Sequence, residues 1–290
     1  SIMHEASRSK CNYYLLRKRS IKMDEIKKFA VIGNPINHSL SPNIHKEFAK
    51  QQGISIQYKK IEPEFDNFET HTQSFFSKKG FGANITIPFK TQAFVFADYH
   101  DTSALECECA NTLILQNNKI KAFNTDGEGF VKDLKEKNIP FIKKNILILG
   151  AGGSARSIIN SLSKVNVEKI DILSRTKSKV EELIDRYKDL SNVCAYTENF
   201  KYDLIVNTTP VSLKNEEINF PKNIFNVSSI SYDLFYSKTI TNFQSWSKNN
   251  GAVESYNGLG MLIQQAALSY EIWNNFKPNT KTIITNLGFI

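Results

Sequence analysis

Five short stretches of the chain carry residues whose types and spacing could do chemistry. The first is Gly150-Ala151-Gly152-Gly153-Ser154-Ala155, which follows the apolar run Asn145–Leu149 and opens a segment of helical periodicity, Ser154–Lys164. A G-x-G-x-x-A turn between a strand and a helix is the context that cradles a pyrophosphate. Gly150 permits the tight turn, Gly152 lets the backbone approach the phosphates, and Ala155 lets the helix lie close to the strand. Free N–H groups and the positive dipole end of the helix would face the anion. An ordinary strand–helix corner can look the same; strands on both sides at this spacing favour a nucleotide.

The second stretch, Ser174-Arg175-Thr176-Lys177-Ser178-Lys179, ends the next strand, Lys169–Leu173. A binder of NAD usually places an acid here for the ribose hydroxyl. The nearest acid, Asp171, lies before the strand's end, and three cations stand in its place. That suits a 2′-phosphate, and hence NADP; the alternative is a solvated basic loop.

The other three stretches lie in the first half. The loop Ile36-Asn37-His38-Ser39-Leu40-Ser41-Pro42 offers hydroxyls rather than glycines, which suits a polar neutral ligand; Ser41 could equally be the N-cap of the helix that Pro42 opens. In Asn84-Ile85-Thr86-Ile87-Pro88-Phe89-Lys90, a period of two puts Asn84 and Thr86 on one strand face, with Lys90 just past the strand end, where α/β sheets place functional groups. Lys90 also reads as an exposed helix-start lysine. Asp126, in Asn124-Thr125-Asp126-Gly127, reads either as a catalytic acid or as a helix N-cap.

These residues need two α/β units in series to position them. In the first, the spacing predicts a strand at Phe29–Ile32, a helix to Gln52 closed by Gly53, a strand at Ile56–Ile61 and a helix over Asp66–Lys79. A strand at Gly82–Ile87 and a hairpin, Cys109–Gln116 with Lys119–Asn124, follow, and then a helix over Glu128–Lys137. After the Gly-rich unit come a helix over Lys179–Tyr187, strands at Tyr202–Val206 and Phe225–Ile230, and helices over Thr239–Lys248, Gly258–Phe276 and Thr280–Leu287.

Composition sets the outer bounds. The chain has 290 residues, 41% of them hydrophobic, with a net charge of +8. Six Lys or Arg against one acid, Glu5, put most of that charge in residues 1–22. The body has no basic stripe, so nucleic acid is not expected as a partner. No run reaches the length of a membrane span. Residues 1–22 lack the apolar segment of a secretory signal, and Met23-Asp24-Glu25 reads as a natural start. Four cysteines, Cys11, Cys107, Cys109 and Cys194, lack zinc-ligand spacing, so no metal is expected and the thiols read as those of a cytoplasmic enzyme. From the residues alone, the chain reads as an NADP-dependent oxidoreductase acting on a polyhydroxylated substrate, expected in a cleft between two units.

From about Lys28 onward the chain also resembles the shikimate dehydrogenase family. The matching motifs, in order, are GNPINHSLSP (33–42), ANITIPFK (83–90), ANT (110–112), NTDG (124–127), GAGGSAR (150–156), YDLFY (232–236) and NGLGMLIQQAA (257–267). The resemblance implies reversible, NADPH-dependent reduction of 3-dehydroshikimate to shikimate in aromatic amino-acid biosynthesis. It implies an α/β fold with an N-terminal substrate-binding domain, 23–125, a Rossmann-type NADP-binding domain, 126–257, and C-terminal helices, 258–290, packing back on the first domain. Residues 1–22 would be an extension outside this fold. Carried over by position, Lys90 and Asp126 would be the catalytic pair, and Ser39 and Ser41 would bind the substrate carboxylate. Asn84, Thr86, Asn111, Tyr236 and Gln265 would surround the ring or its hydroxyls. Gly150, Ala151, Gly152, Gly153, Ser154, Ser174, Arg175, Thr176, Lys179, Leu234 and Gly258 would line the cofactor. A monomer or homodimer is expected.

The chain departs from the family pattern at Ser174, Cys109-Ala110, Ser212 and Asn257. The nearest rival is a quinate/shikimate dehydrogenase using NAD or NADP; the missing acid at 174–176 and the two serines at 39 and 41 speak against it. Another two-domain dehydrogenase, such as methylenetetrahydrofolate dehydrogenase, would not require both HSLSP and NTDG. A non-catalytic NADP sensor would not need Lys90 and Asp126 intact.

Overall fold

The computed structural model describes residues 26–288; the basic stretch 1–22 and the restart at Met23 lie outside the described residues. The first sheet is built from β1 (Lys27–Ile32), β2 (Ile56–Ile61), β3 (Gly80–Ile85), β4 (Tyr99–His100), β5 (Thr112–Gln116) and β6 (Lys119–Phe123). Their order is β2-β1-β3-β5-β6-β4, with β1, β2 and β3 parallel and β5 antiparallel to both neighbours. Helices α1 (Ser41–Gln52), α2 (Phe68–Ser77), α3 (Lys90–Phe96) and α4 (Thr102–Cys107) connect these strands. β1 is buried on both faces, as an interior strand must be: Ala30 and Ile32 join one core cluster, Phe29 and Val31 another.

Helix α5 (Asp126–Glu136) leads to the second sheet, made of β7 (Asn145–Leu149), β8 (Lys169–Leu173), β9 (Val193–Ala195), β10 (Tyr202–Asn207), β11 (Phe225–Asp233) and β12 (Glu254–Tyr256). All its pairings are parallel, in the order β12-β11-β10-β7-β8-β9. Helices α6 (Gly153–Ser163), α7 (Lys177–Arg186) and α8 (Asn242–Asn249) belong to this unit. The strand order reverses between β7 and β10, and the crevice at the carboxyl ends of such a pair is where doubly wound sheets bind ligands. β7 divides its side chains between two cores, Ile146 and Ile148 on one face and Leu147 and Leu149 on the other.

The last helices, α9 (Leu259–Asn274) and α10 (Ile283–Asn286), return to the first unit. Leu259, Ile263, Ala266 and Tyr270 pack with Ile44 and Phe48 of α1, and the Trp273 indole donates to the Leu113 carbonyl at 3.0 Å. α9 also lies against α5. A Cβ on Gly129 would sit 2.7 Å from the Gln265 backbone nitrogen, so only glycine lets the two helices approach this closely.

Several local expectations shift. Ser41 is the first residue of α1 rather than its N-cap, a place Leu40 takes; Gly53, at φ +77°, does close the helix. Asp126 likewise begins α5, with Thr125 at the N-cap. A 3-10 turn at Phe65–Asn67 delays α2, and the capping box of Thr241 and Gln244 sets the start of α8. The short elements α4, β4, β9 and β12 carry too few residues to show a period. The hairpin turns at Asn117-Asn118, both at positive φ (52° and 59°), the geometry that favours asparagine in two-residue hairpin loops.

His45 on α1 marks how tightly the first unit closes. Its ring stacks on Tyr58 at 4.8 Å beside Phe48, Tyr270 and Trp273, and neither ring nitrogen has a hydrogen-bond partner. Burial lowers its pKa to about 3, with the nearby Asn84 amide opposing only in part. The unfolded chain, with a histidine near 6.5, therefore binds this proton more readily. The stabilising contribution is complete above about pH 6.5 and is lost as pH falls toward 3. At about pH 5 the loss from this residue is about 2 kcal/mol. Urea unfolding at about pH 7.5 and about pH 5 is expected to show a smaller drop for His45→Phe than for the parent. Equal drops in the two proteins would remove His45 from the acid response.

Candidate active site

Lys90 and Asp126 meet across the cleft. Phe89, fully buried and stacked on Phe68 at 5.0 Å, anchors the chain just before α3, so Lys90 leaves the sheet at a fixed point. Its ammonium lies 2.7 Å from Asp126 Oδ2 and donates to Ser154 Oγ at 3.0 Å. Lys90 is 9% and Asp126 4% exposed, so both charges are withdrawn from water and each is the other's partner. Asp126 sits in the first turn of α5, where the helix dipole favours an anion. Its backbone N–H donates to Asn124 Oδ1 at 3.0 Å, which fixes the turn before it.

Asn111 holds the pair from behind. Its Nδ2 lies within bonding distance of Asp126 Oδ1 (3.0 Å), Thr125 Oγ1 (2.8 Å) and Gln265 Oε1 (3.1 Å). Its Oδ1 accepts from the Thr125 N–H at 2.8 Å and from Thr112 Oγ1 at 2.9 Å. One amide thus joins β5, α5 and α9.

A cavity opens in front of Lys90 and Asp126. Ser39, Ser41, Asn84, Thr86, Tyr236 and Gln265 line it with the pair, and Asn111 does not, being one layer deeper. The Asn84 amide is occupied: it accepts from Tyr58 Oη at 2.7 Å and donates to Ser269 Oγ at 3.1 Å. Tyr236 Oη accepts from the Leu40 N–H at 3.3 Å, and burial pushes its pKa up, so it faces the cavity as a neutral hydroxyl. The serine pair is tied locally, the Ser41 N–H donating to Ser39 Oγ at 3.3 Å.

Beyond Lys90 the same cavity reaches the second unit at Ser154, Leu234 and Gly258. Gly150, at φ +111°, makes a turn that L side chains avoid. Gly152 is different: a Cβ there would meet no protein atom within 4 Å. The chain itself does not demand glycine at this place, but a phosphate group lying on the backbone would. The N–H groups of Gly153, Ser154 and Ala155 in the first turn of α6 have no intrahelical acceptors, while that of Arg156 donates to the Gly152 carbonyl at 3.0 Å. Gly150, Ala151, Gly152 and Gly153 adjoin Ser154 without lining the cavity, and Ser174, Arg175, Thr176 and Lys179 at the end of β8 do not line it. Arg175, Thr176 and Lys179 are exposed, and the Arg175 side chain makes no hydrogen bond or ion pair among the described residues. Asp171 is consumed elsewhere, accepting from Tyr202 Oη at 2.6 Å and pairing with Lys169 at 2.9 Å. No group of three or more metal-ligating side chains occurs among the described residues.

Asp233, at the end of β11, braces the loops around the opening. It accepts from Asn207 Nδ2 (3.0 Å), the Phe235 N–H (3.2 Å), Ser212 Oγ (2.5 Å) and Thr241 Oγ1 (2.7 Å). Burial raises its pKa while these donors pull the other way. Two departures from the family pattern gain a physical account here. Ser212 supplies one of the donors, and Asn257 Oδ1 accepts from the Leu259 N–H at 3.1 Å, capping α9. Sequence reasoning did not single out His38, Thr208, Thr209, Pro210, Phe235 or Met261, which also line the cavity. His38, Phe235 and Met261 sit within motifs already noticed, while Thr208, Thr209 and Pro210 are loop residues with no periodicity.

Known proteins match the chain along its length. The profile described as the shikimate dehydrogenase substrate binding domain matches residues 31–113, that for shikimate/quinate 5-dehydrogenase matches 133–211, and the shikimate 5'-dehydrogenase C-terminal domain matches 258–285. A shikimate dehydrogenase (NADP(+)) from Vesicomyosocius okutanii is 42% identical over 265 residues, 90% of this chain and 98% of the relative. The shikimate dehydrogenase of Aquifex aeolicus has a similar crystal structure, with a TM-score of 0.82 and 30% identity, covering 91% of this chain and 98% of that one. The shikimate 5-dehydrogenase of Thermus thermophilus, solved in complex with NADP(H) and shikimate, superposes with a TM-score of 0.80 at 27% identity, covering 89% and 97%.

The Asn111 network makes a stability prediction. Asn111→Ala leaves the Thr125 N–H without its acceptor and Asp126 Oδ1 and Gln265 Oε1 without their donor, all buried. A loss of about 2–4 kcal/mol in unfolding free energy is expected by urea denaturation. A variant as stable as the parent would show that water takes over these bonds.

Proposed function

The chain belongs to the shikimate dehydrogenase family, and on that premise we propose that Lys90 and Asp126 are the catalytic pair of its active site. It is an NADP-dependent oxidoreductase that interconverts 3-dehydroshikimate and shikimate, a step of aromatic amino-acid biosynthesis. The observation that carries the assignment is the 2.7 Å contact between Lys90 and Asp126 at the junction of the hydroxyl-lined cavity and the Gly-rich turn.

Bound NADPH supplies the hydride for ketone reduction. Negative charge then builds on the carbonyl oxygen, and the chain must place a donor there. Lys90 has three N–H donors, of which Asp126 and Ser154 take two, leaving one for the substrate oxygen. Lys90 thus stabilises the developing alkoxide and gives the proton, while Asp126 orients the ammonium and accepts from a neighbouring substrate hydroxyl. Ser39, Ser41 and the Tyr236 hydroxyl hold the carboxylate at the far end of the cavity. Asn84, Thr86 and Gln265 face the ring, and Asn111 serves it through Asp126 and Gln265. The turn Gly150–Ser154 and the start of α6 hold the pyrophosphate, Ser174, Arg175, Thr176 and Lys179 the 2′-phosphate end, and Leu234 and Gly258 the nicotinamide end. The first sheet with α9 is the substrate side and the second sheet the cofactor side. The three free cysteines among the described residues fit a cytoplasmic enzyme. An NAD-using, quinate-accepting enzyme is not favoured, since Asp171 is committed within the sheet.

Lys90→Ala is expected to lower kcat by roughly 10²–10⁴, with NADP affinity largely kept, because the Gly-rich turn loses only the lysine's bond to the Ser154 hydroxyl. Asp126→Asn should lower kcat as well, and the double variant should be little worse than the poorer single. Near-normal kcat in Lys90→Ala would assign the proton to another group.

Cofactor choice is tested separately. Arg175→Ala is expected to raise the Kd for NADP by about 10- to 100-fold, the loss of one charge-assisted bond, and to leave the Kd for NAD unchanged. Equal weakening of both cofactors would place Arg175 outside the 2′-phosphate site.

A further inference from the structure

Cys107 and Cys109 lie outside the mechanism, yet their sulfurs are 3.4 Å apart, both residues being buried. The chain reverses between them at Glu108, whose φ is +47°. Cys109 is also a clasp between the two units: its Sγ lies 3.2 Å from the Gly153 carbonyl and 3.3 Å from Ser157 Oγ, both in the first turns of α6. Asn124 completes the clasp, donating to Cys109 Sγ at 3.2 Å and to Ser157 Oγ at 2.9 Å. Cys107 also lines a second cavity of about 240 Å³, whose wall includes Ser103, Asn124, Ser157 and Lys164. That cavity is open to solvent and admits hydrogen peroxide.

We propose that Cys107 and Cys109 form a reversible dithiol modification site for a small peroxide, and that its oxidation loosens the contact between the substrate unit and the Gly-rich turn. The chemistry balances. Cys107 sulfur attacks hydrogen peroxide; the O–O bond breaks, giving a sulfenic acid and water. Cys109 sulfur then attacks the sulfenic sulfur; the S–S bond forms, the S–O bond breaks, and the hydroxyl leaves as water with the Cys109 thiol proton. Two thiols lose two electrons in all and one peroxide becomes two waters. Cys107 is suited to the first step: the Cys109 S–H donates to it and lowers its pKa, while Cys109 is raised by the same contact and by burial. A disulfide needs about 2.05 Å between sulfurs, so Cys109 is drawn toward Cys107 and away from α6. Asn111, two residues on, carries the displacement to Asp126.

The consequence for catalysis rests on the active-site reading above; formation of the disulfide does not. The full-length protein is treated with hydrogen peroxide, digested with trypsin and mapped by mass. Peptide Thr91–Lys119 contains Cys107 and Cys109 and no other cysteine. It is expected to become lighter by two hydrogens, to resist alkylation, and to revert with dithiothreitol. In parallel, kcat/KM should fall roughly three- to tenfold, the size of one or two ordinary hydrogen bonds, and recover on reduction. Cys194→Ser should respond as the parent does, and Cys107→Ser should not respond. Three outcomes overturn the proposal: a peptide whose two thiols stay alkylatable, a disulfide that leaves kcat/KM unchanged, and an equal loss of activity in Cys107→Ser.

Discussion

A buried ammonium that can find only one buried carboxylate is the constraint on which the rest depends. Lys90 and Asp126 are both withdrawn from water, and either charge alone would cost several kcal/mol at that depth. The two residues begin different helices, α3 and α5, so the starts of those helices must be set to a fraction of an ångström. For α3 this is done by an apolar anchor, Phe89 in the core against Phe68. For α5 it is done by amides: Asn124 accepts from the Asp126 N–H and Asn111 from the Thr125 N–H. Neither device is chemical in itself, yet the pair could not form without both.

The same pair also decides how the two sheets must meet. Ser154 belongs to the Gly-rich turn, and its hydroxyl accepts from the lysine that leaves the first sheet. A single ammonium therefore touches the machinery of both halves. α9 enforces this arrangement from the far side. It starts against the end of β11, where Gly258 leaves room for the Leu234 carbonyl, passes α5 at Gly129, and ends with Trp273 on the Leu113 carbonyl. Gln265, midway along it, reaches Asn111. The helix that brings Gln265 to the cavity thus also holds the two units at the spacing the ion pair needs.

The legible part of this design is the part with a period or a turn rule. The runs Phe29–Ile32 and Asn145–Leu149, the Asn117-Asn118 hairpin and the glycine at 53 could all be placed from the residues, because burial and positive φ act locally. Ser41 and Asp126 were misplaced by one position because a hydroxyl or an acid suits both an N-cap and a first turn; the choice was made by tertiary partners. β4 is two residues held by pairing with Lys121 and Ala122, which no window could reveal. Within the site, Lys90 and Asp126 were visible as candidates, but their meeting was not, since 36 residues separate them. The supporting role of Asn111 and the clasp at Cys109 are likewise products of packing.

One feature of the cofactor side was legible as a lack. An acid near the end of β8 would select a ribose hydroxyl, and Asp171 is the nearest one. Strand alternation points it into the sheet's core, where Tyr202 and Lys169 engage it, with Leu147 as its register partner on β7. Moving it to the strand end would require a two-residue slip, which keeps the faces but carries Glu168 into the place of Ile170 in the core. The end of β8 is thereby left to Arg175, Lys177 and Lys179, all exposed, with side chains that bond to nothing among the described residues. Three cations without a counter-charge attract an anion more strongly than a neutral hydroxyl. Preference for the phosphorylated cofactor follows from where the sheet needs its one nearby acid, and the interior packing of β8 sets it before any ligand arrives.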